Sequence, residues 1–155
     1  MLSKMSSRSS GHTSAAWAAV AALLVASTCA STPSETVISD RQFLVDAAGI
    51  EFSLAQPFKR RLSSGSVKIE LLEDWIPLPP YKSIRLADGP VATLTVSLHS
   101  EDGRVFTAAS LGAGGGLNAR FIPEIPKDAS IHSVRITSDV PVQCRKADWY
   151  EFDAL

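Results

Sequence analysis

Cysteine, histidine and contiguous apolar sequence are all scarce in this chain, and each scarcity removes a class of function. Two cysteines, Cys29 and Cys144, form at most one bridge, so a disulfide framework does not build the fold. Three histidines occur, and only His99 and His132 lie beyond the N-terminal segment. With Glu101 or Asp102 they give the one metal set that can be drawn, and no spacing demands it, so no metal is expected. No Gly-x-Ser-x-Gly occurs, and Cys144 keeps phase with Val140 and Val142, which makes it a core residue rather than a nucleophile. The run Gly112-Ala113-Gly114-Gly115-Gly116 fails as a phosphate loop. Leu117 stands where a third glycine belongs and no Lys-Ser or Lys-Thr pair follows, so an inter-strand loop and no cofactor are expected. Glu70, Glu73, Asp74, Asp148 and Glu151 supply carboxylates, but nothing in their spacing pairs any two for acid–base work.

The longest apolar run, Ala15 to Ala26, has twelve residues, too few for a hydrocarbon core that needs about twenty. Lys4 and Arg8 precede it without any acid, and Ser27, Thr28, Cys29 and Ala30 follow. A basic start, a short apolar stretch and small residues form the layout of an export signal over residues 1–30. Within it, Ala26-Ser27-Thr28-Cys29 resembles the lipobox of bacterial lipoproteins, although that family prefers Leu first and Gly or Ala before the cysteine. The resemblance implies that Cys29 is lipidated and becomes the mature N-terminus, which places the domain in the periplasm or on the outer membrane. Ordinary cleavage after Ala30 is the alternative and gives a secreted protein. Ser31, Thr32, Pro33 and Ser34 open a polar tether assigned to residues 31–38.

Excess charge of either sign is also missing. Beyond residue 30 the chain carries 13 bases (15 less Lys4 and Arg8) against 16 acids, a net charge of −3. That balance argues against a nucleic-acid binder, which normally displays a basic face. Lys59-Arg60-Arg61, the one basic cluster, reads as a solvated turn.

What the chain does have is period-two alternation. Leu94, Val96 and Leu98 alternate with Thr93, Thr95, Ser97 and His99; Ile50, Phe52 and Leu54 with Glu51 and Ser53; Val67, Ile69 and Leu71 with Lys68 and Glu70. Ile84 and Leu86 flank Arg85, and Val134 and Ile136 flank Arg135, with His132 in the same phase. Turn residues separate these runs, at Glu101-Asp102-Gly103, Asp88-Gly89-Pro90 and Ser138-Asp139. Eight to ten short strands over residues 39–155 predict an all-β fold, an antiparallel two-sheet sandwich of jelly-roll type rather than immunoglobulin-like. One segment, Asp40 to Ala48, is divided between a helix capped by Ser39 and Gly49 and a strand at Gln42–Val45. The stretch from Val134 through Trp149 loosely resembles the last two strands of galactose-binding-like sandwiches, which bears on fold and not on ligand.

Strict alternation onward from Cys144 would bury Lys146 and Asp148 and expel Trp149. Burying two charges costs far more than half-exposing one Trp, so a β-bulge near Arg145-Lys146 is predicted. It would turn Cys144, Ala147 and Trp149 inward and Lys146, Asp148 and Tyr150 to solvent.

One stretch stands out for binding: Asp74-Trp75-Ile76-Pro77-Leu78-Pro79-Pro80-Tyr81. Its prolines forbid a central strand and lower the entropy lost on binding, while Trp75 and Tyr81 offer flat rings to a glycan or a protein. Packing of Trp75 and Ile76 as a lid over one end of the sandwich is the competing account. The expectation is a lipid-anchored, non-enzymatic binding module with Trp75 and Tyr81 as ligand residues. Its partner would be an envelope protein or a glycan, with no nucleic acid and no membrane contact beyond the anchor. A carbohydrate-binding module and a small envelope enzyme are the alternatives.

Overall fold

Alternating sequence becomes strand throughout the computed structural model, which describes residues 35–113, 116–121 and 125–153. The export signal, Cys29 and the first tether residues lie outside the described residues. The chain runs β1 (Glu35–Ser39), β2 (Phe43–Val45), β3 (Ile50–Lys59), β4 (Ser64–Leu71), β5 (Trp75–Leu78), β6 (Ser83–Leu86), β7 (Val91–Ala92), β8 (Leu94–Ser100), β9 (Val105–Ala113), β10 (Gly116–Phe121), β11 (Ser130–Ser138) and β12 (Val142–Phe152). The predicted all-β antiparallel sandwich is therefore observed.

Its layers are made by one hydrogen-bonded path, β1-β12-β4-β10-β9-β8-β11-β3, with β2 also against β12. The path turns the corner at β9. Residues 110–113 of that strand pair with β10, whereas residues 105–109 pair with β8. The first half of the path and the second thus enclose a single core that includes Val67, Ile69, Leu98, Ile136 and Trp149, all fully buried. A separate three-stranded sheet, β5-β6-β7, is inserted between β4 and β8 and adds Ile84, Leu86 and Ala92 to that core.

The predicted bulge is present. Register shifts between Cys144 and Lys146 where β12 meets β4, and Cys144, Ala147 and Trp149 are all at 0% exposure. Asp148 departs from expectation. It lies on the outer face but is only 5% exposed, with Lys146 Nζ 2.9 Å from its carboxylate. Desolvation raises its pKa above the ordinary carboxylate value, against the pull of Lys146.

Three further expectations need correction, and one left open is decided for the strand at Phe43–Val45. No helix forms over Asp40–Ala48. Phe43 and Val45 are buried against β12 while Leu44 stays exposed, and the Asp46 carboxylate accepts the Ala48 and Gly49 amides to make a turn instead. Strand β1 begins inside the stretch assigned to the tether, because Glu35 to Val37 pair with Tyr150 to Asp148. The inter-strand loop does not take in the whole glycine run. Gly112 pairs with Leu117 and Ala113 with Gly116, so the ladder continues into it. His132 is out of phase with Val134, pushed to the surface by a bulge between Ile131 and Ser133.

Candidate functional site

Trp75 and Tyr81 sit on the small sheet, and its register decides which way each side chain faces. Trp75 opposes Leu86, and Pro77 opposes Ile84, which opposes Ala92. Leu86, Ile84 and Ala92 are buried, so this is the inward face, and Trp75 is half-buried against the core. The other face carries a row across three strands, in which Ile76 opposes Arg85 and Arg85 opposes Val91. Directly opposed residues on antiparallel strands share a face with Cβ atoms about 5 Å apart. Ile76 is 57% exposed and Val91 42%, and Arg85 between them is exposed with no ion-pair partner among the described residues.

Tyr81 stands in the turn that joins β5 to β6, 54% exposed, with its backbone at φ 69°. The left-handed region costs a side-chain-bearing residue about 1 kcal/mol or more, which glycine avoids. A bulky aromatic is thus held outward at a position where glycine would be easier for the backbone. Such outliers concentrate where a side chain has a task. Sequence reading singles out Tyr81 and sets Arg85 out of phase with Ile84 and Leu86, but misses the row that Arg85 forms with Ile76 and Val91. The signal was available only in part: Arg85 alternates with Ile84 and Leu86, but the pairing of β6 with β5 and β7 cannot be read from any one segment.

The other aromatics do not add to this face. Trp149 is fully buried, stacked on Phe58 with centroids 4.9 Å apart, and it donates its indole N–H to Glu151. Tyr150 and Phe152 stack on each other on the outer face of β12.

Chemistry-bearing residues elsewhere are tied up or dispersed. Ser133 Oγ donates to Glu51 at 2.8 Å and pairs in register with His99, which brings a Ser, a His and a Glu together. A nucleophile needs its hydroxyl bonded to the histidine and open to substrate. Here the hydroxyl is spent on the carboxylate and Ser133 is 2% exposed. Burial pushes the Cys144 thiol up to about 12, so it is no thiolate at neutral pH. Asp102 is held well below the usual carboxylate range by Arg104, then by Ser100, in an exposed turn. Among the described residues no group of three or more His, Cys, Asp or Glu side chains converges as a metal site.

Sheet edges are blunted as well. Free edge β5 contains Pro77; free edge β3 contains Pro57 and a register jump that sets Leu54 to Pro57 opposite His132 alone; β1 shifts register between Val37 and Ser39. Proline and bulges are how natural sheets refuse added strands. Docking by strand addition is disfavoured, and side-chain docking on a face is left. No family model, no curated protein and no solved structure matches this chain.

Proposed function

We propose that this chain is an exported, lipid-anchored, non-enzymatic module that binds an envelope protein through the outer face of its small sheet. The supporting observation is the exposed row Ile76–Arg85–Val91, with exposed Tyr81 in the β5–β6 turn of the same sheet. Large apolar side chains flanking an unpaired arginine, beside an exposed tyrosine, have the composition of protein-docking hot spots. Trp75 serves as the support beneath that face. A glycan platform would need rings side by side at the surface, and of the three candidates only Tyr81 is more than half exposed. The anchor at Cys29 is carried by the signal layout and the lipobox resemblance.

A photo-crosslinking residue placed at Ile76 or Val91 in living cells is expected to trap one partner, while the same residue at exposed Lys68 on the outer face of β4 traps none. Equal trapping from Lys68, or none from either position of the small sheet, would overturn the docking face. For the anchor, Cys29→Ser is expected to release the protein from the membrane fraction. An unmodified N-terminus at Ser31 found by mass spectrometry would reject lipidation and leave the docking face standing.

A further inference from the structure

The folded path of strands does not close, and its two end strands, β1 and β3, face each other across a seam. The seam holds a cleft of about 390 Å³. Phe58, half-buried and stacked on Trp149, gives it an apolar wall. Thr36, Gln56, Lys59 and Arg61 bring a hydroxyl, an amide and two cations to its lining.

Two carboxylates also line the cleft, so its preference depends on which groups have capacity to spare. Glu151 is 2% exposed and already accepts the Arg61 and Leu62 amides at 2.8 and 3.0 Å and the Trp149 indole at 3.0 Å. Glu35 lies 3.5 Å from Lys146 Nζ. Each acid therefore has donors. The bases differ: among the described residues neither the Lys59 ammonium nor the Arg61 guanidinium has an ion-pair or hydrogen-bond partner, and the Thr36 hydroxyl and Gln56 amide have none. Arg60, between the two, behaves otherwise, spending its guanidinium on the carbonyls of Leu62, Ser63 and Ile125. What the cleft has unspent is donors, two of them charged, beside a phenyl ring.

We infer that the seam cleft is a binding site for a small organic anion, a carboxylate or phosphate on an apolar stem. The acid group meets Lys59 and Arg61 in charge-assisted hydrogen bonds, with Gln56 and Thr36 completing its shell. The stem lies on Phe58. The site is separate from the docking face on the small sheet, and neither depends on the other.

Amide and indole NMR shifts of the labelled full chain test this with two matched pairs of probes. N-acetyl-leucine is compared with N-acetyl-leucinamide, and butyl phosphate with butanol. At least one acid is expected to give saturable shifts at the Arg61 and Leu62 amides and the Trp149 indole, with a dissociation constant on the order of 1 mM or below. Its neutral twin is expected to give none, and which acid binds identifies the group. In Lys59→Ala/Arg61→Ala affinity is expected to fall roughly tenfold or more, with the amide spectrum otherwise native because neither side chain makes a hydrogen bond or ion pair among the described residues. Equal binding by a neutral twin, absence of saturable shifts from both acids, or unchanged affinity in the double variant would overturn the inference.

Discussion

Two regions of this domain treat their surfaces in opposite ways. At the end where the β3–β4 turn meets the close of β12, polar groups are inside and, the Ser64 hydroxyl apart, mostly bonded. Glu151 is buried with three donors, Arg60 reaches three carbonyls, and Trp149 presses on Gly65 so closely that an added Cβ would overlap the ring. The small sheet is rooted at the other end of β4, about 25 Å away along an eight-residue strand. There apolar groups are outside and uncovered, and one backbone torsion is strained. An unpaired polar group inside or an apolar row outside each costs stability. The turn end has been relieved of most such costs and the small sheet retains them. Stability resides in the interior of the first region, and that contrast marks the second as the place to look for a docking partner.

The contrast breaks first at Glu151. Glu151→Ala strands the buried Trp149 indole N–H at about 1–3 kcal/mol and frees two part-buried amides that water can partly serve, so a loss of roughly 2–4 kcal/mol is expected from the urea midpoint. A loss below about 1 kcal/mol would mean that the network at this end is not what holds the fold. Gly65→Ala tests the same region by overpacking. Trp149 is pinned between Phe58 and Phe121, so about 2–3 kcal/mol is expected.

Trp75 belongs to both regions, as it stands on the small sheet but faces the core. Trp75→Ala is expected to cost about 1–3 kcal/mol, below the 3–5 typical of a fully buried Trp. An unchanged melting temperature together with lost partner binding would move Trp75 onto the docking face and glycan recognition back into consideration.

The strands and the bulge were legible because they rest on local costs. Alternation places Leu94, Val96 and Leu98, and the charge of Lys146 and Asp148 forces the register shift before Trp149. What was not legible depends on a partner strand. Phe43-Leu44-Val45 carries too few residues to separate period two from a helical spacing until β12 lies beside it. Val91 and Ile76 become neighbours only through Arg85, and the seam exists only because β1 and β3 end the same path. Asp148 follows the same rule: alternation gives its face, but its burial depends on lying between β1 and β4, where Val37 and Lys68 stand opposite it.

Cys144 sharpens the comparison from the stable side at smaller effect. In a Cys29→Ser background its thiol is expected to resist thiol reagents until the protein unfolds. The unfolded thiol ionises near 9.0 and the folded one near 12, so this group contributes nothing to the pH dependence of stability below about 9. As pH rises across that window the unfolded state loses its proton first, and stability falls. Reaction in the native state at neutral pH would show that the core opens locally at β12.

The smallest expected stability change, and the most informative, is at Tyr81. Tyr81→Gly removes an exposed ring and also releases the backbone from a left-handed torsion that only glycine adopts without penalty. Against this, glycine widens the conformational freedom of the unfolded chain by roughly 0.5–1 kcal/mol. The two terms nearly cancel, and the melting temperature should move by no more than a few degrees in either direction. Tyr81→Ala keeps the strain, escapes the glycine entropy and loses the same ring, so by the same two terms it should lie within about 1 kcal/mol of Tyr81→Gly. If the ring is held outward for a partner, both variants lose crosslinking from Ile76 alike, whatever their order in stability. Intact crosslinking in both would leave the strained turn without a role in docking and reduce the face to Ile76, Arg85 and Val91.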